Sequence, residues 1–173
     1  FSEPIPGMGG ADIDVAGGSL VPGSVAVAEG GMSATFSVEA SNESMDALSV
    51  TVLGTVTDIH GNFLAETATS APEVVDTVNP EVVGIVSSFA DVELDGVVSD
   101  SDPVVDYQVS FSEPIPGMGG ADINVAGGSL VPGSVAVAED GMSATFSVEA
   151  SNESMDALSV TVLGTVTDIH GNF

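Results

Sequence analysis

The densest run of potential ligands is Asp91-Val92-Glu93-Leu94-Asp95-Gly96-Val97-Val98-Ser99-Asp100-Ser101-Asp102. It has carboxylates at its first, third and fifth places, glycine at the sixth, an aliphatic residue at the eighth and an acid at the twelfth. That order follows a calcium loop, because this hard cation takes six to eight oxygens from a tightly turned backbone. Glu in third place, Asp in twelfth and the lack of flanking helices depart from the full pattern, and an edge strand with acids on its wet face accounts for the run equally well. A second constellation is Asp76 and Asn79, which could meet Asp100 or Asp102 of one domain and Asp58 of the preceding one, so that a cation would lock the angle between them. A third is Glu3 or Glu113, each between a core Phe-Ser pair and a proline, reaching toward the turns Asp58-Ile59-His60-Gly61-Asn62 and Asp168-Ile169-His170-Gly171-Asn172. The simpler readings are an exposed acid at a strand end and an Asp turn satisfied by its own amides. The expected metal is calcium, and its candidate ligands are Asp58, Asp76, Asn79, Asp91, Glu93, Asp95, Asp100, Asp102, Glu113 and Asp168.

Other chemistries find little footing. His60 and His170 stand alone in their copies, with no cysteine and no second histidine at zinc spacing, and read as turn residues. Asn42-Glu43-Ser44 and Asn152-Glu153-Ser154 match the glycosylation sequon, a low-information pattern. There is no nucleophile elbow, glycine-rich phosphate loop or paired-carboxylate cleft, so an enzyme is not expected.

The charge balance narrows the partners. The chain has 26 Asp and Glu residues and no Lys or Arg, a formal charge of -26. Two carboxylates about 4 Å apart repel by roughly 4 kcal/mol at an effective dielectric near 20, and a domain is stable by only about 5–15 kcal/mol. A tight acidic cluster must therefore bind a cation, take up protons or spread out. Nucleic acid and anionic membranes are disfavoured partners, since both call for a basic face. The uncharged stretch Val15 to Ala28 is too short, and too broken by Gly17, Gly18, Pro22 and Gly23, to span a bilayer. With no cysteine, neither disulfides nor thiolate metal sites are available.

Residues 1–63 return at 111–173 with only two changes, Asp14 to Asn124 and Gly30 to Asp140, which sets a period of 110 residues. Such a period is domain-sized, far longer than a solenoid unit. A catalyst needs one good site, whereas a spacer or multivalent surface gains from equal copies. Within the period, alternation is the dominant signal. Val105, Tyr107, Val109 and Phe111 share one face, as do Met142, Ala144, Phe146, Val148 and Ala150, and again Val160, Val162 and Val166. Shorter strand candidates are Val82 to Ser88, Ile123 to Val125, Ser134 to Ala138 and Leu64 to Ser70. Gly117-Met118-Gly119-Gly120, Gly127-Gly128 and Pro132-Gly133 read as breakers, and Glu139-Asp140-Gly141 as a hairpin turn. The expected fold is all-β, an antiparallel sandwich with Tyr107, Val109, Phe111, Phe146, Val148, Val160 and Val162 in its core. The expected layout is residues 1–75 as a repeat without its early strands, 76–79 as a short stiff link, and 80–173 as a repeat without its last strand. A sheet edge left open in either piece should attract another strand, so a neighbouring chain or further residues of the same chain are expected to complete each sandwich.

The chain also resembles the bacterial Ig-like tandem repeats of giant secreted adhesins and biofilm-associated (RTX-type) proteins. The resemblance is carried by Phe-Ser-Glu-Pro at 111–114, Ala-Asp-Ile-x-Val at 121–125, Gly-Gly-Ser-Leu at 127–130, Ala-Thr-Phe at 144–146, Asp168-x-x-Gly171-Asn172 and Asp76-Thr77-x-x-Pro80, and it spans the whole repeat. It implies Ig-like sandwiches strung end to end at the cell surface, stiffened by calcium, with neighbouring identical repeats as partners and the adhesive function in a domain elsewhere. The rival expectation is an acidic repeat surface that binds carbohydrate, mineral or ice.

Overall fold

Alternating sequence becomes strand here wherever turn residues bound it. The computed structural model describes residues 1–87, 98, 103–153 and 155–173, and these divide into two compact units, Phe1–Val78 and Asn79–Phe173. In chain order the first unit holds β1 (Ile13–Ala16), β2 (Gly18–Leu20), β3 (Ala26–Val27), β4 (Ala34–Thr35), β5 (Val38–Ala40), β6 (Ser49–Val52) and β7 (Ala68–Thr69). The second holds β8 (Val82–Ser87), β9 (Val104–Phe111), β10 (Ile123–Ala126), β11 (Gly128–Leu130), β12 (Ala136–Val137), β13 (Ser143–Ala150) and β14 (Ser159–Val162). Every pairing is antiparallel, and the helical content of the described residues is one 3-10 turn in each unit, Gly10–Asp12 and Gly120–Asp122. The protein is all-β.

In the second unit one sheet runs in the order β11-β13-β9-β8, with β12 also paired to β13, and a smaller sheet joins β10 to β14. Both contribute to a single core of Val109, Phe111, Ile115, Ile123, Ala144, Phe146, Val148 and Val166, against which Tyr107, Val160 and Val162 pack half-buried. The alternation in β13 is the one expected: Ala144, Phe146 and Val148 point in, while Thr145 and Glu149 are exposed. Tyr107 lies on Phe146 with ring centroids 5.6 Å apart, an offset stack that adds to the burial of both rings. Ile123, from the expected short strand that becomes β10, and Ile115, from a segment without alternation, complete the core.

The first unit repeats the sequence but not the whole sheet. β1 pairs with β6 and β6 with β7, while β2-β5 and β3-β4 stand as separate pairs. The segment that forms one eight-residue strand in β13 is here broken into β4 and β5, with Phe36 and Ser37 between them outside any strand. The difference has a visible cause. β13 is held along its length by β9, from Ser143 opposite Ser110 to Glu149 opposite Val104, and among the described residues nothing takes that place beside β4 and β5. Ala34, Phe36 and Val38 are accordingly half-buried, whereas Ala144, Phe146 and Val148 are 1 %, 1 % and 0 % exposed. The reverse holds at the other edge: β6 gains β7 across Thr51–Thr69 and Val52–Ala68, while β14 has no described strand on that side.

Two expectations need adjustment. Gly127-Gly128 is not simply a breaker. Gly127 turns the chain at φ 76°, where a Cβ would strike the Ala157 carbonyl, and Gly128 at once begins β11 with its backbone close against the Glu149 carbonyl. Two residues without side chains let a corner and a strand follow one another directly. The link at 76–79 also belongs largely to the first unit. The Thr77 hydroxyl donates to the Ser41 carbonyl at 2.7 Å and accepts from the Ser44 amide at 2.9 Å, while the Thr77 amide bonds the Ser44 carbonyl at 3.0 Å.

The two copies of one Phe make an internal control. Phe146→Ala should destabilise the second unit by about 3–5 kcal/mol, the range for a fully buried aromatic ring. Phe36→Ala, in a half-open site, should cost the first unit only about 1–2 kcal/mol. Denaturant titration followed by residue-resolved NMR checks this; equal losses would mean that the two rings are equally enclosed.

Candidate functional site

The acidic turns come from a local rule: an Asp side chain can take amide protons from residues that follow it, closing a turn without any helix or ladder. Asp58 Oδ1 accepts from the backbone amides of His60 at 2.8 Å and Asn62 at 2.9 Å, and Oδ2 accepts from the Asn62 side-chain amide at 2.8 Å. The Asp58 amide donates in return to the Asn62 carbonyl at 2.9 Å, and Thr57 bridges Phe63 across the neck. Gly61, at φ 85°, supplies the left-handed residue that the turn requires. The loop is a small hairpin inside the connection from β6 to β7. Asp168 repeats it with one more donor: Oδ1 takes the amides of His170 at 2.7 Å, Gly171 at 2.6 Å and Asn172 at 2.9 Å, and Oδ2 takes the Asn172 side chain at 2.7 Å.

These bonds set the protonation of the carboxylates. The Asn62 side chain, followed by the Asn62 backbone amide, brings Asp58 from 3.8 down to about 2 against the opposing pull of burial, with smaller help from His60. For Asp168 burial is the largest influence and pushes its pKa up. The combined donors from Asn172, His170 and Gly171 outweigh it and hold the carboxyl below its ordinary value.

Around the first turn the structure brings together Glu3, Asp58 and His60, with one potential ligand atom from each lying within 4.8 Å of the others. The meeting of Glu3 with this turn is the third constellation of the sequence. The His60 ring reaches it too, with Nδ1 3.9 Å from Asp58 Oδ2, although the sequence marked it only as a turn residue. The chemistry of the set is limited. A carboxylate has about four acceptor directions, of which three at Asp58 already hold amide protons, and an imidazole is not a ligand that calcium favours. The Asp58 and Asp168 turns close without a cation, and their donor sets do not fit a resident calcium on their own.

The remaining candidates lie in other segments of their own units. Glu113 is half-buried just past the end of β9. Asp76 is half-buried in the segment pinned by Thr77, its Oδ1 accepting from the Val78 amide at 3.2 Å, and Asn79 opens the second unit, also half-buried. Asp91, Glu93, Asp95, Asp100 and Asp102 lie outside the described residues, and with them the calcium-loop pattern.

A further pair of acids, Asp12 and Asp122, stands outside the metal-ligand candidates of the sequence, although Asp122 belongs to the Ala-Asp-Ile-x-Val motif. Each accepts from the glycine amide that opens its 3-10 turn, Gly9 at 3.0 Å and Gly119 at 2.8 Å, and from a distant threonine hydroxyl, Thr55 at 2.8 Å and Thr165 at 2.6 Å. Each latch ties the start of β1 or β10 to the end of β6 or β14. Thr55 is thus occupied within the fold by Asp12, and Thr51 by the Thr69 hydroxyl at 2.9 Å. A groove of about 530 Å³ opens on the second unit between Val86, Asp106, Gln108, Ser134, Thr145 and Ser147, with the Asp106 carboxylate held by the Ser147 hydroxyl at 2.6 Å. Among the described residues every buried side-chain nitrogen and oxygen has a hydrogen-bond partner, and no helix is long and apolar enough to cross a membrane.

No known family, curated protein or solved structure matches the chain.

The low pKa of Asp58 has a measurable consequence. A carboxyl whose folded pKa is depressed contributes stability that is complete above its unfolded value, near 3.9, and is lost as pH falls through the folded one. The Asn62 backbone and side-chain amide resonances should therefore report protonation of this carboxyl with a midpoint near 2. A midpoint near 4 in an NMR titration would show that the turn bonds do not hold the charge.

Proposed function

We propose that the chain is a non-enzymatic extracellular spacer, part of a repetitive surface fibre or adhesin built of Ig-like sandwiches, with calcium as the counterion of its acidic segments. One observation carries the reading: a domain-sized sequence recurs with two changes in 63 positions, and each copy gathers its own hydrophobic core. Copies this alike serve length and repetition rather than a single reaction centre. The acids of the described residues support the same view, since Asp12, Asp58, Asp122 and Asp168 are each tied up in turn or latch bonds rather than gathered around a reacting position.

Calcium enters through the charge balance. A chain of -26 with no Lys or Arg draws its counterions from solution, and the sequence from Asp91 to Asp102, with Asp76 and Asn79, supplies side-chain oxygens of the kind calcium takes. A cation held by successive repeats would stiffen the chain, which suits a spacer at the cell surface beside other copies of the same repeat.

Extracellular calcium sites commonly have dissociation constants of about 0.1–1 mM. Calcium at a hundred times that constant adds about 2.7 kcal/mol per site. Excess chelator at constant ionic strength should lower the melting temperature and reduce the maximum dimension of a multi-repeat protein in small-angle scattering. If neither changes, calcium has no part in the mechanism and the acidity serves solubility alone.

A further inference from the structure

On the side of the second unit's large sheet that faces away from the core, two polar rows cross the strands. β13 and β9 set Ser147 opposite Asp106 and Thr145 opposite Gln108, and β8 sets Val86 beside Gln108. Ser134 extends the first row, since its hydroxyl accepts from the Ser147 amide at 3.0 Å. Neighbouring strands lie about 4.8 Å apart, and alternate residues about 7 Å apart along a strand, so these side chains form a grid on the scale of a sugar ring with its hydroxyls. They line the groove of about 530 Å³, a volume typical of small-ligand sites. We propose that this groove is a saccharide site, taking one or two units of a neutral sugar chain.

The chemistry of the groove selects this class of ligand. A sugar hydroxyl both donates and accepts, and the groove offers partners for both: the Asp106 carboxylate only accepts, the Gln108 carboxamide does either, and the Ser and Thr hydroxyls rotate to suit. The Ser147 hydroxyl donates to Asp106 Oδ1 at 2.6 Å and so aims the carboxylate, a charged acceptor that makes the stronger kind of bond. Among the described residues no hydrogen bond engages the Gln108 carboxamide or the Thr145 hydroxyl, which leaves both for a ligand, and Val86 gives an apolar border for the C–H face of a ring. Other ligands fit less well. An anion would meet Asp106 with no Lys or Arg to offset it, a cation would find one carboxylate in a chain rich in them, and an apolar molecule would bury polar groups unpaired. The scaffold is firm, because the site stands on strands rather than loops and Ser134 also donates to the carbonyls of Val131 at 2.8 Å and Ser147 at 3.3 Å. The inference goes beyond the spacer reading and depends on neither calcium nor neighbouring repeats, since every lining residue belongs to the second unit.

The test titrates the whole nitrogen-15-labelled chain, in excess chelator, with a panel of neutral tetrasaccharides built of glucose, galactose, mannose, xylose or N-acetylglucosamine. Gln108 is the single glutamine of the chain, so its side-chain amide is an unambiguous reporter by NMR. At least one member of the panel should shift that resonance saturably. Asp106→Asn and Thr145→Val should each weaken the binding about tenfold, the loss expected for one hydrogen bond to the ligand. Thr35→Val changes the same residue of the first copy, outside this groove, and should leave the affinity as it was. Asp106, Thr145 and Thr35 are all exposed, so the replacements should keep the fold, which the remaining amide resonances check in the same spectra. A panel that never moves the Gln108 amide overturns the proposal, as does a shift that survives both groove replacements undiminished. Spermidine is titrated alongside; if it moves the reporter and no sugar does, the groove is a cation site and the saccharide assignment falls.

Discussion

The ladder between β9 and β13 decides how much of a repeat becomes sheet. Identical residues fold as one eight-residue strand when β9 lies beside them and as two short strands when it does not. Local propensity is the same in both copies, so the difference is a tertiary one. The neighbour supplies backbone partners, covers Phe146 with Tyr107 and turns half-buried aliphatic residues into core. Strand preference therefore acts here through side-chain packing and burial more than through any intrinsic backbone bias.

A second constraint is the lack of any lysine or arginine. A protein with opposite charges can pin a loop with an ion pair, whereas this one pins loops with amide protons and hydroxyls. Asp58 and Asp168 gather backbone amides, Asp12 and Asp122 join a glycine amide to a threonine, Asp140 caps the Met142 amide at 3.0 Å, and Thr77 anchors the segment leaving the first unit. Charge-assisted bonds of this kind are stronger than neutral ones, and they satisfy the acid without a basic side chain. The acidity is thereby compatible with a well-ordered fold.

Long alternation made β9 and β13 legible in the sequence, together with their facing core residues Val109, Phe111, Phe146 and Val148 and the hairpin at Glu139-Asp140-Gly141. The short strands were less so. β11 hides behind a Gly-Gly pair, because glycine marks both turns and close backbone approaches. The split into β4 and β5 could not be read from the segment itself, whose twin forms a single strand. Among the site residues, the Asp58 turn was legible because donors and acceptor lie within five residues of chain. The Asp12–Thr55 latch was not, because its partners are 43 positions apart and neither type is distinctive. The anchoring bonds of Thr77, a residue of the Asp76-Thr77-x-x-Pro80 motif, were hidden for the same reason, with partners 33 and 36 positions away.

The sameness of β13 and its counterpart in the first unit also bears on the order of events during folding. β9 has two targets of equal chemistry in its own chain, β13 ahead of it and the stretch from Ala34 to Ala40 behind it. The target behind is nearly twice as far along the chain, and doubling a loop costs only about 0.6 kcal/mol of closure entropy. Proximity therefore discriminates weakly between right and wrong partners. Synthesis favours the wrong one, since the stretch behind emerges from the ribosome before β9 and β13 emerges after it. Correct pairing must then be secured by the later arrival of β10, β11 and β14 on the same core, and a chain that pauses before them would hold a plausible but mistaken sheet.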